Sequence, residues 1–447
     1  MPTDCNSPSI VFTPLGRRQV RAEFNGGKIT SDAGALLLRE VAGKSRLFDR
    51  MASCIPDPRE PSLIEHDQKT MLAQRVLGIG CGWEDLNDHH GLRIDPLMQV
   101  AAERDADEER PLASPATLCR LENRISRQSC VALSKLLVEL FIESFDAPPV
   151  ELILDFDATD DPIHGNQQGR FFHGYYDNYC YLPLYVFCGE KLLVSYLRPS
   201  DIDAARHSRA ILKLLVNRLR QQWPAVKIIF RGDSGFCRWK LMRSCDRRGV
   251  DYCVGLARNK RLEKMAEPFT HKAQHQFEQT QENQRLFTEF HYAAGSWDTE
   301  RRVIHKAEHN SHGDNPRFIV TSLDDEAQTL YDNIYCARGE MENRIKEQQL
   351  GLFAGRTSCH HFVANQFRLL LSSFAYTLIE SLRRTTLAGT ELAKAQAGTI
   401  RNKLLKIGAV VTTSVRRIML QLSSAYPLKE LFQKVVTRLL LPKVQLE

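Results

Sequence analysis

The feature that most constrains the fold is an apolar segment that ends in carboxylates, LILDFDATDD at residues 152–161. Because side chains alternate along a β-strand, Ile153, Asp155 and Asp157 lie on one face of the predicted strand. Carboxylates at the end of a buried strand repel one another unless a cation lies between them, and hard divalent cations bind oxygen ligands. The segment therefore predicts either a cation site or an Asp-rich turn in which residues 160–162 simply end the strand.

Length and composition narrow the class of protein. A chain of 447 residues is too long for one ordinary core and predicts two or three domains. No apolar run reaches the roughly 20 residues of a membrane span, and the N-terminus does not resemble a signal peptide. We therefore expect a cytoplasmic protein that does not enter a membrane. The 12 cysteines include no C-x2-C pair, which argues against a zinc or redox motif.

Charge is distributed unevenly along the chain. The net charge is +6, but residues 356–447 contain 14 Lys or Arg against 4 Asp or Glu, so the preceding residues are acidic in sum. A basic C-terminal region predicts contact with a polyanion such as nucleic acid. The alternative is an ordinary solvated helical surface.

Hydrophobic periodicity predicts five regions. The predicted regions are a mainly helical, DNA-binding N-terminal region (1–148), the first part of an α/β core (149–257), a β-rich insertion (258–325), core helices (326–385) and a basic helical C-terminal region (386–447). The second region has the element order β-β-β-α-β-α-β, and the last includes an apolar-faced helix around residues 404–422.

One predicted helix carries arginines in a row. Ser114-Pro115 is a favourable helix start, since serine caps and proline suits the first helical position. In the helix that follows, Thr117, Arg120, Arg124 and Arg127 fall on one face. Such a face predicts contact with a DNA groove, with a merely solvated surface as the alternative.

Two further acids complete a candidate constellation. Asp233 follows a short apolar strand, as Asp157 does. In the helix at 335–347, Tyr335, Arg338, Glu342 and Lys346 share one face, so Glu342 is a carboxylate flanked by cations. Taken alone, this helix also fits ordinary surface ion pairs worth a few tenths of a kcal/mol each.

The ordered set of Asp, Asp and Glu resembles the DDE transposases of bacterial insertion sequences, DDE domain group 1. Their Tyr-x2-Arg-x3-Glu-x6-Lys signature matches at Tyr335, Arg338 and Glu342. Gln349 stands at the lysine position, and Lys346 lies one turn earlier as a substitute. The blocks Asp-Ala-Thr at 157–159 and Gly-Asp-Ser-Gly-Phe at 232–236 match as well. The resemblance implies an α/β fold with a ribonuclease H-like catalytic core, a β-rich insertion and flanking helical regions.

The resemblance also implies the chemistry. Asp157, Asp233 and Glu342 are the expected catalytic residues and metal ligands, with Asp155 as the alternative first acid. Two Mg²⁺ ions, or Mn²⁺, would support in-line attack on a phosphodiester. Tyr335 and Arg338 are expected to contact the DNA backbone.

Trp297 is the one tryptophan of the predicted insertion, where related transposases stack a displaced base. A stacking role is physically reasonable. Packing of the insertion against the core is the alternative.

The expected function is therefore DNA transposition and recombination: metal-dependent cleavage at insertion-sequence ends, then strand transfer. The expected partners are double-stranded DNA, both terminal inverted repeats and target, and a second copy of the chain in a homodimer on DNA. Two alternatives stay open. One is a catalytically inactive DNA-binding regulator or remnant of a mobile element, suggested by Gln349. The other is a plain metal-dependent nuclease on the same fold.

Overall fold

A computed structural model describes residues 9–104 and 110–441 of the chain. The chain folds as two compact units. The first unit comprises Met1–Arg124, Gly351–Phe353 and Phe374–Glu447. The second comprises Ile125–Leu350 and Ala354–Ser373.

The first unit begins with a β-hairpin and continues as short helices. Its N-terminal elements are β1 (Ile10–Leu15), β2 (Arg18–Ala22), β3 (Ile29–Thr30), α1 (Ala35–Lys44), α2 (Leu47–Ser53), α3 (Gln68–Cys81), α4 (His89–Leu92), α5 (Pro96–Ala101) and α6 (Pro115–Asn123).

The start of α6 is as predicted, but its length is not. The Ser114 side chain accepts a hydrogen bond from the backbone N–H of Thr117 and caps the helix. The helix ends at Asn123, because Ser126 adopts extended backbone and caps the next helix, which begins at Arg127. The prediction that Arg127 shares one helical face with Arg120 is therefore wrong.

The second unit contains a large mixed sheet and the helices that cover it. Its elements are α7 (Arg127–Glu143), β4 (Glu151–Ala158), β5 (Asp161–Pro162), β6 (Phe171–His173), β7 (Asn178–Tyr181), β8 (Leu184–Cys188), β9 (Lys191–Tyr196), α8 (Ser208–Gln222), β10 (Lys227–Gly232), α9 (Trp239–Asp246), β11 (Asp251–Leu256), α10 (Lys260–Thr280), β12 (Gln284–Tyr292), β13 (Arg301–Asn310), β14 (Gly313–Asp314), β15 (Arg317–Thr321), α11 (Ala327–Thr329) and α12 (Gly339–Lys346).

The remaining elements follow in chain order: α13 (Phe362–Leu382), α14 (Ala397–Ile400), β16 (Ala409–Ser414), β17 (Arg417–Leu422) and α15 (Lys429–Leu440).

The sheet has the strand order β12-β13-β15-β11-β10-β4-β8-β9, with β14 paired to β13. Strand β10 lies between β4 and β11 and is parallel to both, whereas β8 is antiparallel to β4 and to β9. In chain order β4, β8, β9, α8, β10, α9 and β11 follow the predicted succession of strands and helices. The α/β, ribonuclease H-like fold class is thus confirmed.

The predicted insertion extends this sheet. Strand β15 pairs with β11 in antiparallel fashion and β13 pairs with β15, so the added strands continue the core sheet. Sequence inspection missed helix α10, which precedes those strands. Only Leu262, Ala266 and Ala273 of α10 are buried, and Pro268 lies inside it, so its apolar periodicity is weak.

Helices cover both faces of the sheet. One core lies between the sheet and α7, α8, α9 and α10, and it includes Phe156 and Phe230. The other face packs against the helical segment that begins at Ala327, through Leu330 and Tyr331. No helix in the part of the chain that the structure describes is both long and apolar enough to cross a membrane.

The C-terminal region is not wholly helical, which corrects the prediction for residues 386–447. In place of the helix predicted around residues 404–422, β16 and β17 form a hairpin, and β16 also pairs with β3. The β-branched run Val410-Val411-Thr412-Thr413 explains the difference, because such residues favour strands. Residues 442–447 of this region lie outside the described residues.

Asp161 generates a prediction about pH. It is buried, one oxygen accepts a hydrogen bond from the Thr357 hydroxyl at 2.9 Å, and burial raises its pKa to about 8. The unfolded chain releases this proton above about pH 4 while the folded chain keeps it, so folding stability falls from about pH 4 to pH 8. We expect Asp161→Asn to flatten this fall in melting temperature, as measured by circular dichroism. The exposed control Asp201→Asn should keep the native slope, and an unchanged slope in Asp161→Asn would contradict the assignment.

Candidate active site

Two of the three predicted acids end neighbouring strands. Phe156 of β4 and Gly232 of β10 are partners in the parallel register, so Asp157 and Asp233 each come directly after a paired position. One Asp157 oxygen accepts a hydrogen bond from the Ala158 N–H at 2.9 Å. The Asp233 carboxylate accepts one from the Gly235 N–H at 2.8 Å and caps a 3-10 turn. Parallel strands thus present both carboxylates at the same edge of the sheet.

The third acid lies on a helical segment of changing pitch. A π-helix (Leu330–Tyr335) and a 3-10 turn (Cys336–Arg338) precede α12, which carries Glu342. Such π-helical insertions are frequent at functional sites. The Arg338 side chain links two of the acids: Nη1 lies 3.3 Å from Asp157 Oδ2 and Nη2 lies 2.8 Å from Glu342 Oε1.

The three acids are also close enough to interact electrostatically. Burial raises the pKa of Asp157 to about 7, the Arg338 guanidinium opposes that rise, and the carboxylates of Asp233 and Glu342 add to it. Like charges this close disfavour ionisation unless a cation compensates them. Arg338 is the counter-ion that this structure provides.

The donor set suits a hard divalent cation, because all three side chains offer carboxylate oxygens. In the conformation described, however, the guanidinium of Arg338 lies between Asp157 and Glu342. Within residues 9–104 and 110–441, no three His, Cys, Asp or Glu side chains are close enough together to hold one ion. Arg338 thus occupies one oxygen of Asp157 and one of Glu342 in this conformation.

Asp155, the alternative first acid, has a different environment. It is 2% exposed, and both its oxygens accept hydrogen bonds from Arg231, its register partner on β10. Arg231 also donates through Nη1 to the Ile334 carbonyl at 2.6 Å. Since Asp155 is buried and paired, Asp157 is the better-placed ligand of the two.

The sequence contains a signal for Arg231 that pattern inspection missed. Arg231 is a charged residue directly after the apolar run Ile228-Ile229-Phe230, two positions before Asp233, as Asp155 is two positions before Asp157. A buried charge in a strand requires a partner. The equal spacing on two parallel strands places that partner directly opposite.

Gly255 is a second position that sequence inspection missed. A Cβ atom on this β11 residue would lie 2.7 Å from the Tyr335 hydroxyl and 2.8 Å from the Ser234 backbone nitrogen. A glycine inside a strand often marks such a close approach. Gly255 thus lets Tyr335 pack directly beside the backbone that carries Asp233.

The structure places Lys346, Gln349 and Trp297 in three different environments. Lys346 is exposed at the end of α12. Gln349 does not face solvent alone, because its side-chain amide donates to the Asp160 carbonyl at 3.0 Å. Trp297 is half-buried and packs edge-to-face on Tyr292, with ring centroids 5.5 Å apart. DNA contact by Lys346 or Trp297 stays a prediction.

In the first unit, Arg120 is exposed on α6, but Arg124 is engaged within the protein. Arg124 lies 3.2 Å from an Asp57 oxygen and donates to the Gln68 side chain at 2.9 Å. DNA binding by Arg120 and Arg124 therefore also stays a prediction, and Arg120 is the more accessible of the two.

The buried ion pair between Asp155 and Arg231 generates a prediction about stability. Asp155→Asn leaves the Arg231 charge buried without its partner, which costs about 3–5 kcal/mol. The matched control is Glu139→Gln, which breaks the Arg218–Glu139 pair, about one-third exposed on both sides. An exposed pair of this kind is worth less than about 1 kcal/mol. We expect a large fall in melting temperature for Asp155→Asn and a small one for Glu139→Gln; equal falls would contradict the role assigned to the buried pair.

No curated protein sequence matches the chain. Among solved structures, the chain is similar to the piggyBac transposase in a cryo-EM structure of its synaptic complex with hairpin DNA. The identity is 10%, the TM-score is 0.44, and the match covers 93% of this chain and 83% of that one. The family model for the transposase DDE domain, group 1, matches residues 12–443, so the chain belongs to that family.

Proposed function

We propose that the protein is a DNA transposase that cleaves double-stranded DNA at the ends of a bacterial insertion sequence and joins them to target DNA. The observation that carries this proposal is the convergence of Asp157, Asp233 and Glu342 around Arg338, in a chain of the transposase DDE family. Acids on two strand ends and one helix form an oxygen-rich site beside the guanidinium of Arg338. Such a site suits metal-assisted attack on a phosphodiester, in which water or a hydroxyl is the nucleophile. That reaction needs oxygen ligands for the metal and no nucleophilic side chain, unlike acyl transfer through a covalent intermediate.

Asp157, Asp233 and Glu342 would hold divalent metal ions, with Mg²⁺ the expected ion and Mn²⁺ the alternative. Bound metal would supply activation of the attacking hydroxyl and stabilisation of the leaving oxygen. The chain's own residues have separate tasks. Asp233 is fixed by the Gly235 N–H, and Arg338 balances the acids until it is released, after which its guanidinium is available to a DNA phosphate.

The proposed partners are the terminal inverted repeats of the element and a target duplex. Two ends must be cut in one event, so we propose that a homodimer forms on DNA, in the cytoplasm. The excess of basic residues after residue 356 supports contact with a polyanion in that assembly.

The test is cleavage of a supercoiled plasmid that carries the element's own ends, with Mg²⁺ present. We expect the native protein to release the element and Glu342→Gln to lose cleavage more than about 100-fold, beyond the effect typical of an outer-shell metal partner. End binding should be retained, since Gln keeps an oxygen for Arg338. The matched control is Glu340→Gln, a second exposed glutamate of α12, which should cut normally.

Each other outcome has a distinct meaning. Normal cutting by Glu342→Gln would remove that residue from the catalytic set. Binding of the ends without any cutting would favour an inactive regulator, in which Gln349 replaces the signature lysine. Cutting without recovery of an element 3′ end covalently linked to target DNA would favour a plain nuclease.

A further inference from the structure

A basic groove lies between helices α8 and α9 of the second unit. Its volume is about 530 Å³. Of the residues that the structure describes, six cationic side chains and no acidic one line it: Arg209, Lys213, Lys240, Arg243, Arg247 and Arg248. We call these residues the α8–α9 groove.

The charge of this groove is largely uncompensated. Arg243 lies 3.5 Å from an Asp298 oxygen, whereas the other five cations make no ion pair with any described residue. Arg209 and Lys213 are one helical turn apart, and like charges at this spacing destabilise a helix. On an ordinary solvated face cations and acids are interspersed, so a concave, single-sign cluster indicates an anionic ligand.

The number and kind of side chains indicate the class of that ligand. Six cations exceed what one phosphate group can neutralise, which favours a polyanion. One aromatic side chain lines the groove within the described part of the chain: Trp239, which is half-buried and packs against the apolar core. Single-stranded nucleic acids are bound through several stacked aromatics along a basic track, and one tryptophan does not supply them. A dense set of Lys and Arg without such a track is typical of contacts to duplex phosphates.

The position of the groove along the chain relates it to the acids. Helix α9 begins at Trp239, six residues after Asp233, and the short segment between them includes the 3-10 turn that Asp233 caps. A duplex held in the groove would therefore contact the helix that directly follows the second acid. The groove residues are nevertheless separate from the three carboxylates and from the signature helix.

We propose that the α8–α9 groove binds the phosphate backbone of double-stranded DNA, independently of sequence and of the metal site. This inference rests on the proposed function, and it adds a second DNA-contacting surface to the enzyme. Since phosphates carry no sequence information, the groove positions a duplex and does not select one.

The experiment uses the full chain without divalent metal, and it measures the anisotropy of a labelled duplex of unrelated sequence over a range of salt concentrations. The test variant combines Arg209→Ala, Lys213→Ala, Lys240→Ala and Arg247→Ala, four exposed side chains. The matched control removes the same charge from exposed residues in or beside α10: Arg258→Ala, Lys260→Ala, Lys264→Ala and Lys272→Ala. Circular dichroism melts verify that both variants fold.

We expect the slope of log affinity against log salt to become shallower by about 4 in the groove variant, one unit for each lost phosphate contact. The α10 control should change the slope much less. Equal changes of slope in the two variants would overturn the proposal. It would also be overturned if the groove variant lost affinity for a labelled single strand and kept its affinity for the duplex. If the groove variant binds duplex normally and the native protein still cuts its element ends, the groove assignment fails while the transposase proposal stands. Failure of the native protein to bind any duplex would overturn both.

Discussion

The geometry of the candidate site depends on one buried ion pair, Asp155 with Arg231. Taking two charges out of water is costly, and here the cost is offset by hydrogen bonds to both carboxylate oxygens and a further bond to the Ile334 carbonyl. The pair joins β4, β10 and the π-helix before α12, the elements that contain or lead to Asp157, Asp233 and Glu342. Because it lies two residues before each aspartate, it holds the two strands in the register that places Asp157 and Asp233 side by side.

Charge balance is the second constraint on the site. Burial and the nearby carboxylates of Asp233 and Glu342 raise the pKa of Asp157 to about 7, and a nearby cation opposes that rise. Arg338 contributes that cation in this structure, from one helical turn before Glu342. In the proposed function, a metal ion bound by the acids would share carboxylate oxygens with this guanidinium. Occupancy of the acids would then be linked to the freedom of Arg338 to contact a phosphate.

Sequence patterns predicted the local features well and the long-range ones poorly. The apolar pattern of β4 and of the strand before Asp233 correctly placed two acids at strand ends. The alternation of side chains puts Asp155 and Asp157 on the same face, however, so it cannot decide which of them is the first acid of the site. Arg231, 76 residues away, makes the distinction. Helix α10 was missed because it buries only three small or medium apolar side chains. The C-terminal hairpin was mistaken for a helix, although its β-branched run was a usable signal.

The insertion explains how an acid far along the chain reaches the other two. A long insertion between Asp233 and Glu342 would leave Glu342 poorly positioned if it formed a separate, loosely attached body. Instead β15 pairs with β11 and continues the core sheet, so the chain returns to that sheet before the signature helix begins. Leu330 and Tyr331 then pack against one face of that sheet. Because Gly255 has no side chain, the Tyr335 hydroxyl fits beside Ser234. The entropy of closing a long loop is thereby offset by strand pairing and burial, which are the same interactions that hold the core together.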